Sequence, residues 1–342
     1  MAENRSDSLR HEIRRDILSG RLAPGARLPT ERALAAQYAV SLTTINKVMA
    51  GLELEGLLER GRGRGTFVRP DLAQRAVAVV FGPPHAPPGP RFWADVGRRA
   101  LQSAAQTPGG VRAYLAAGTA PSGETALARD ARAGRLAGAL LLGAGVGAAA
   151  VLEEAGVPTA DLAGDGDESA VRIAWGEAVG DLVAEMIRRR AAPVAIQLAP
   201  GPPGREMLDA YRRAVEAAGG VPDERLIGSA GAADGPAGWR WIETMLADCG
   251  ARGLVLAGAE PEGALAALAQ VRDAVPAAVA VAVVALAGRV PAFAQDLARL
   301  EVDAAEVVQA GMEMLAAGRR AEARAGVTIR PRFVPGATFP SA

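Results

Sequence analysis

Apolar residues recur at helical spacing near the start of the chain, at Leu9, Ile13, Ile17 and Leu18, and this segment stops near Gly20. A turn-rich connector, LAPGARLPT, follows with Pro24, Gly25 and Pro29. Thr30 is placed to cap a second helix, ERALAAQYA, in which Leu34 and Tyr38 lie four apart. Val40-Ser41 breaks that helix, and Ser41 caps a third whose predicted buried stripe is Ile45, Val48, Met49, Leu52 and Leu54. Helix, tight turn, helix is an arrangement that lays its second helix in the major groove of DNA. Beyond Gly56, Leu57-Leu58 and Thr66-Phe67-Val68 predict two short strands around a tip of alternating Gly and Arg. Gly61, Gly63 and Gly65 permit positive φ. Arg60, Arg62 and Arg64 put guanidinium groups where such a wing would touch phosphate or the minor groove.

From Arg75 onward apolar strands alternate with amphipathic helices. RAVAVVFG, VRAYLAAG, AGALLLGAG and VPTADL are the strands of a first batch, separated by FWADVGRRALQSAAQ, ETALARDARAGRL and GAAAVLEEAG as helices. After Asp165 the alternation restarts, with PVAIQLAP, RLIGSA, ARGLVLAG and AVAVAVVALAG as strands among four further helices. This β-α-β order predicts parallel sheets covered on both faces, in two similar lobes. Ligands bind at the carboxyl ends of such strands, so a cleft between the lobes is the expected site.

Charge sharpens the division. The chain of 342 residues is formally neutral, but residues 1–70 hold 12 basic against 8 acidic residues and the remainder 26 against 30. A basic head on an acidic body points to nucleic acid at the head. Cys249 is the only cysteine, and His11 and His85 are the only histidines, which argues against disulfides, a metal site or a His-based triad. No metal and no cofactor are expected. The polar opening, MAENRSDSLRHEIRRD, does not read as a signal peptide, and the most apolar runs (275–287 and 136–152) are too short to cross a bilayer. The expectation is a soluble, cytoplasmic protein without membrane contact.

LPTERALAAQYAVSLTTINKVMAGLELEGLLERGRGRGTFV resembles the winged helix of the GntR family of transcription regulators over about residues 9–69. The Leu-Pro-x-Glu-Arg opening, the Glu-Gly-Leu pivot and the Gly-Arg-Gly-Thr-Phe-Val wing appear in order. The resemblance implies a homodimer on a short, roughly palindromic double-stranded operator. Carried over by position, Arg32 contacts the DNA backbone, and Thr43, Thr44, Asn46 and Lys47 lie on the exposed face of the recognition helix that Ser41 caps, Ser41 being a DNA-binding candidate as well. Arg62, Arg64 and Gly65 form the wing tip. Where the family usually has Arg after the recognition-helix Ser, this chain has Leu42, which alters specificity or weakens binding.

Residues 75–336 resemble, in arrangement, the ligand-binding domain of LacI-type repressors, itself similar to periplasmic sugar-binding proteins. The matching stretches are FWADVGRRALQSAA, GPPGREMLDAYRRAVEAAG and LARLEVDAAEVVQAGMEMLAAG. The expected fold class is therefore α/β, an N-terminal winged helix-turn-helix (1–70) plus a two-lobed parallel-sheet, periplasmic-binding-protein-like domain (71–342). The first lobe is expected at about 75–168 plus 285–320, and the second at about 169–284 plus 321–336. Polar pairs that bind sugar hydroxyls in the family are replaced here by Ala174-Trp175, Ala259-Glu260 and Ala287-Gly288, the last beside Arg289. What survives is Arg205, with Phe92 and Trp93 after the first strand. The expected effector is a partly aromatic or less hydroxylated small molecule held by Phe92, Trp93, Trp175, Arg205, Glu260 and Arg289. Phe92 and Trp175 could equally fill the core between the lobes, and Trp239 and Trp241 read as packing.

The function expected is a repressor controlled by that effector, and not an enzyme. The alternatives are a constitutive DNA-binding regulator with a degenerate pocket, or an enzyme acting on a small molecule. An aminotransferase-like body is excluded because no lysine follows Lys47 to form a Schiff base. The acidic cluster Asp161, Asp165, Asp167 and Glu168 reads as a solvated loop between the lobes.

Overall fold

The computed structural model describes residues 2–18, 21–61, 63–82, 90–116, 125–162, 170–198, 201–229, 235–258, 262–270, 275, 278–288, 291–319 and 326–340. The head contains α1 (Ala2–Leu18), α2 (Glu31–Gln37), α3 (Leu42–Leu54) and the hairpin β1 (Leu58–Gly61) and β2 (Gly65–Val68). Both predicted caps form. The Thr30 hydroxyl accepts from Ala33 N at 3.2 Å and Ser41 Oγ accepts from Thr44 N at 3.1 Å. Each satisfies a backbone donor that the first turn of a helix leaves open. Leu9, Ile13 and Ile17 of α1 meet Leu34, Ile45, Val48, Met49 and Leu52 in one core closed by Leu57, Leu58 and Val68. Leu54, expected in that stripe, is 90% exposed. At 100° per residue it stands 200° from Leu52, past the edge of a face set by positions 45, 48, 49 and 52.

The hairpin gains a third edge from a segment expected to be only a connector. Arg27 bridges Phe67 antiparallel, Leu28 N donates to Thr66 O at 2.9 Å and Val68 N donates to Ala26 O at 2.9 Å. A short 3-10 turn, Pro70–Gln74, leads into the body.

The first sheet has the order β4-β3-β5-β6, all parallel, from β3 (Ala76–Phe81), β4 (Val111–Leu115), β5 (Leu136–Leu142) and β6 (Thr159–Asp161). Its helices are α4 (Pro90–Ala105), α5 (Ala126–Arg132) and α6 (Gly145–Glu154). After β7 (Val171–Ile173) come α7 (Trp175–Arg188), β8 (Val194–Leu198), α8 (Pro202–Ala217), β9 (Ile227–Ser229) and α9 (Gly235–Ala247). The chain continues through β10 (Gly253–Ala257), α10 (Glu262–Leu268), β11 (Ala280–Leu286), β12 (Ala298–Val302), α11 (Ala304–Arg319), β13 (Val327–Ile329) and β14 (Arg332–Val334). The second sheet runs β14-β12-β11-β10-β8-β9, parallel except for β14 at its edge. Every residue of β5, β8, β10 and β11 is buried, as parallel strands under helices on both faces must be.

The chain crosses between the two sheets at β7 and β13, which pair with each other in parallel. The expectation that 285–320 returns whole to the first lobe is corrected. Ala285, Leu286 and all of β12 lie in the second sheet, and the return begins only with α11, which packs on α4, β5 and β6. A Cβ at Gly311 would come within 2.4 Å of Leu162, so the absent side chain sets how closely α11 lies on the first sheet. Among the described residues no helix is long and apolar enough to cross a membrane.

The tail after β14 is held by Thr338, whose fully buried hydroxyl accepts from Ala298 N at 2.9 Å and donates to Val281 O at 2.8 Å. Thr338→Val keeps the shape and leaves both backbone groups unpaired. It is expected to lower the unfolding free energy by about 1–3 kcal/mol, read as a shifted midpoint in urea. An unchanged midpoint would show that the tail is not anchored there.

Candidate DNA-reading face and ligand cleft

The exposed face of α3 carries Leu42, Thr43, Asn46 and Lys47, with Ser41 exposed at its cap. Thr44 is half-buried, and its hydroxyl lies 2.8 Å from Ser41 Oγ, so both groups are occupied in closing the first turn. Arg32 is exposed on α2. At the wing, Arg64 is exposed and Gly65 has φ +108°, a backbone that a side chain rarely adopts. Arg62 lies outside the described residues.

Two residues not anticipated from sequence join this face. Arg27 lies over the wing, its Nε only 2.9 Å from where a Cβ on Gly65 would stand, and is itself exposed. Glu31, the first residue of α2, receives the Asn46 amide. With its nitrogen facing the carboxylate, Asn46 donates at 2.9 and 2.6 Å. Arg60 Nη2 stands 3.5 Å from the same carboxylate, and Arg60 Nε stands 3.2 Å from Glu53 of α3. Arg60, expected to reach phosphate from the wing, is therefore turned onto the head's own carboxylates. Arg27, Arg32, Lys47 and Arg64 are exposed.

In the body, Phe92 and Trp93 occupy the first turn of α4, Trp175 opens α7, and Arg205 lies in the first turn of α8. Phe92 meets Trp93 edge-on at 4.8 Å between ring centroids and meets Trp175 edge-on at 6.3 Å. Phe92 is 4% and Trp175 2% exposed, so this pair fills the junction between the first lobe's α4 and the second lobe's α7. Trp93 is half-buried beside them and Arg205 is exposed. Glu260 and Arg289 lie outside the described residues, as do 83–89, 117–124, 199–200 and 230–234 at the carboxyl ends of the strands. Trp239 and Trp241 pack against the second sheet's outer core. Asp161 ends β6, and its acidic neighbours Asp165, Asp167 and Glu168 are outside the described residues.

Between head and body a cleft of about 460 Å³ is lined by Leu54, Gly56, Arg69, Arg75, Arg112 and Arg135, among others. Leu57 of the head rests on Gly134, where a Cβ would come within 2.7 Å of it. The turn carrying Gly134 is held by buried Asp130, which accepts from Arg112 Nη1 at 2.7 Å, Tyr114 Oη at 2.7 Å and Arg135 Nη1 at 2.8 Å. Burial alone would raise the Asp130 pKa. The hydrogen bonds from Tyr114, Arg135 and Arg112 outweigh it and hold the carboxyl below its ordinary 3.8. Burial and the Asp130 bond push the Tyr114 phenol well above its ordinary value.

A carboxyl with a depressed folded-state pKa adds stability above its unfolded value and loses it as pH falls. Wild-type protein is therefore expected to lose stability below pH 3.8 more steeply than Asp130→Asn does. Urea midpoints measured from neutral pH down to pH 3 check this, and parallel curves would exclude Asp130 as a contributor.

Residues 5–68 match the family model described as bacterial regulatory proteins, gntR family. They form a GntR-type helix-turn-helix domain. A curated relative from Escherichia coli K12, named as a "probable fructoselysine utilization operon transcriptional repressor", is 37% identical over 75 residues. That match takes in 22% of this chain and 31% of the relative, so the chain spans less than a third of the relative's length. The fold recurs in a PurR family transcriptional regulator from Vibrio parahaemolyticus, at TM-score 0.60 and 15% identity over 78% of this chain and 100% of that one. It recurs also in a LacI family regulatory protein from Chloroflexus aggregans, at TM-score 0.58 and 15% identity over 77% of this chain and 98% of that one. The body thus has the two-lobed fold of LacI- and PurR-type regulators.

Proposed function

We propose, from a GntR-type head on a body of LacI/PurR fold, that this chain is a DNA-binding transcription regulator, a repressor governed by a small molecule. The observation that carries this is the recognition helix. Thr43, Asn46 and Lys47 stand exposed in its first half beside a wing bearing Arg64 and Arg27. Side chains at the N-terminal end of such a helix reach base edges, and the wing and Arg32 fix its register through phosphates. Two copies, each presenting one head, would read a roughly palindromic operator, with Ser41, Thr44, Arg62 and Gly65 shaping the contact. The protein acts in the cytoplasm, without catalysis.

The effector would enter at the carboxyl ends of β3 and β8, over a floor made by Phe92 and Trp175. Trp93 and Arg205 would be its accessible partners, with Glu260 and Arg289 as further candidates. An aromatic ring bearing an acidic group suits Trp93 and Arg205. Closure of the lobes would then shift the heads through the seam at Leu57 and Gly134. A second reading, constitutive DNA binding, is favoured by the burial of the same aromatic pair, which leaves a ligand little of either ring to touch.

The test is binding of the intact chain to labelled fragments from upstream of its own gene, across a salt series. Selective binding that weakens steeply with salt is expected. Lys47→Ala and Arg64→Ala would each lower the magnitude of the log–log salt slope by about 1. Weak, sequence-blind binding would overturn the reading.

A further inference from the structure

The Asn46 amide has a built-in orientation, and this bears on which base it reads. An unconstrained Asn on a recognition helix grips adenine twice, donating to N7 and accepting from N6. Here the nitrogen is already committed, at 2.9 and 2.6 Å, to the two oxygens of Glu31. Glu31 is in turn fixed by Arg60 of β1 at 3.5 Å, and Arg60 by Glu53 at 3.2 Å. A lone carboxylate at a DNA-facing surface would be repelled by phosphate. The Arg60 guanidinium offsets that charge, so the pair can persist when DNA arrives. The same stripe of α3 carries Leu42 one turn before and Ala50 one turn after, both without hydrogen-bonding side chains.

We infer that Glu31 turns Asn46 into an acceptor-only reader, whose carbonyl oxygen selects a base with an exocyclic amine in the major groove, adenine N6 or cytosine N4. Guanine O6 and thymine O4, themselves acceptors, are rejected at that step because two lone pairs would face each other. Glu31 is thus a positioning residue for specificity and touches no base. This rests on the regulator reading given above.

The test is selection of duplexes from a randomised pool by the full-length protein, by Asn46→Ala and by Glu31→Ala. The affinities of the selected sites are then compared with versions carrying 7-deazaadenine, which lacks the N7 acceptor. Wild type is expected to prefer adenine or cytosine at one step of each half-site, by roughly fivefold to a hundredfold. Asn46→Ala is expected to lose that preference alone. If the step is adenine, 7-deazaadenine leaves wild-type affinity unchanged but weakens binding by Glu31→Ala, whose freed amide reaches N7. If it is cytosine, Glu31→Ala shifts the preference toward adenine. Preference for guanine or thymine, a several-fold loss by wild type on 7-deazaadenine, or a Glu31→Ala variant that reads as wild type does would each overturn the inference while sparing the regulator reading. Failure of wild type to enrich any sequence would overturn both.

Discussion

The body of this protein is governed by strands that have no polar face. Sequences such as AVAVVF, LAGALLL and AVAVVAL can be accommodated only with helices on both sides, because each strand presents apolar side chains above and below. Parallel order follows, since a helix must intervene before each return, and the strands' carboxyl ends collect on one side. Two such sheets then need a junction. Phe92 and Trp175 supply it, buried edge-to-face in a core that continues from one lobe into the other. The two lobes therefore meet on an apolar contact rather than on a polar one.

The head is organised differently, by a few polar bonds on a small apolar core. Two hydroxyl caps start α2 and α3, and Glu31 links the start of α2 to the middle of α3 and to the wing. Arg10 and Arg14 of α1 both reach Glu55 just past the end of α3. These links are exposed or half-exposed, so each contributes modestly to stability. Their effect is on geometry, tying α2, α3 and the wing to one another.

Much of this was legible in the sequence. Thr30 and Ser41 announce their helices, and the apolar strands of both sheets stand out because nothing polar interrupts them. The strand β12 did not stand out, since its sequence ARLEV carries Arg299 and Glu301. Glu301 is buried nonetheless, its charge met by Arg299 at 3.0 Å and by Arg332 of β14, a partner 31 positions away. The three-residue strands β7, β13 and β14 are too short to show a period. At the candidate sites the limit was the same. Arg60 looked like a phosphate ligand because its partners Glu31 and Glu53 are brought to it only by folding. Whether Phe92 and Trp175 pack together depended on a contact across 83 positions.

The central claim is that body and head form one device, in which a ligand held between the lobes changes affinity for DNA. It is tested most directly by measuring operator affinity of the intact chain with and without a saturating small molecule. That compound would be chosen from aromatic acids, nucleosides and sugars by the largest rise in melting temperature. Coupling of this kind predicts a change of roughly 5- to 150-fold, and an equal change in ligand affinity when operator is added. Operator affinity that stays the same while the ligand is bound would contradict it.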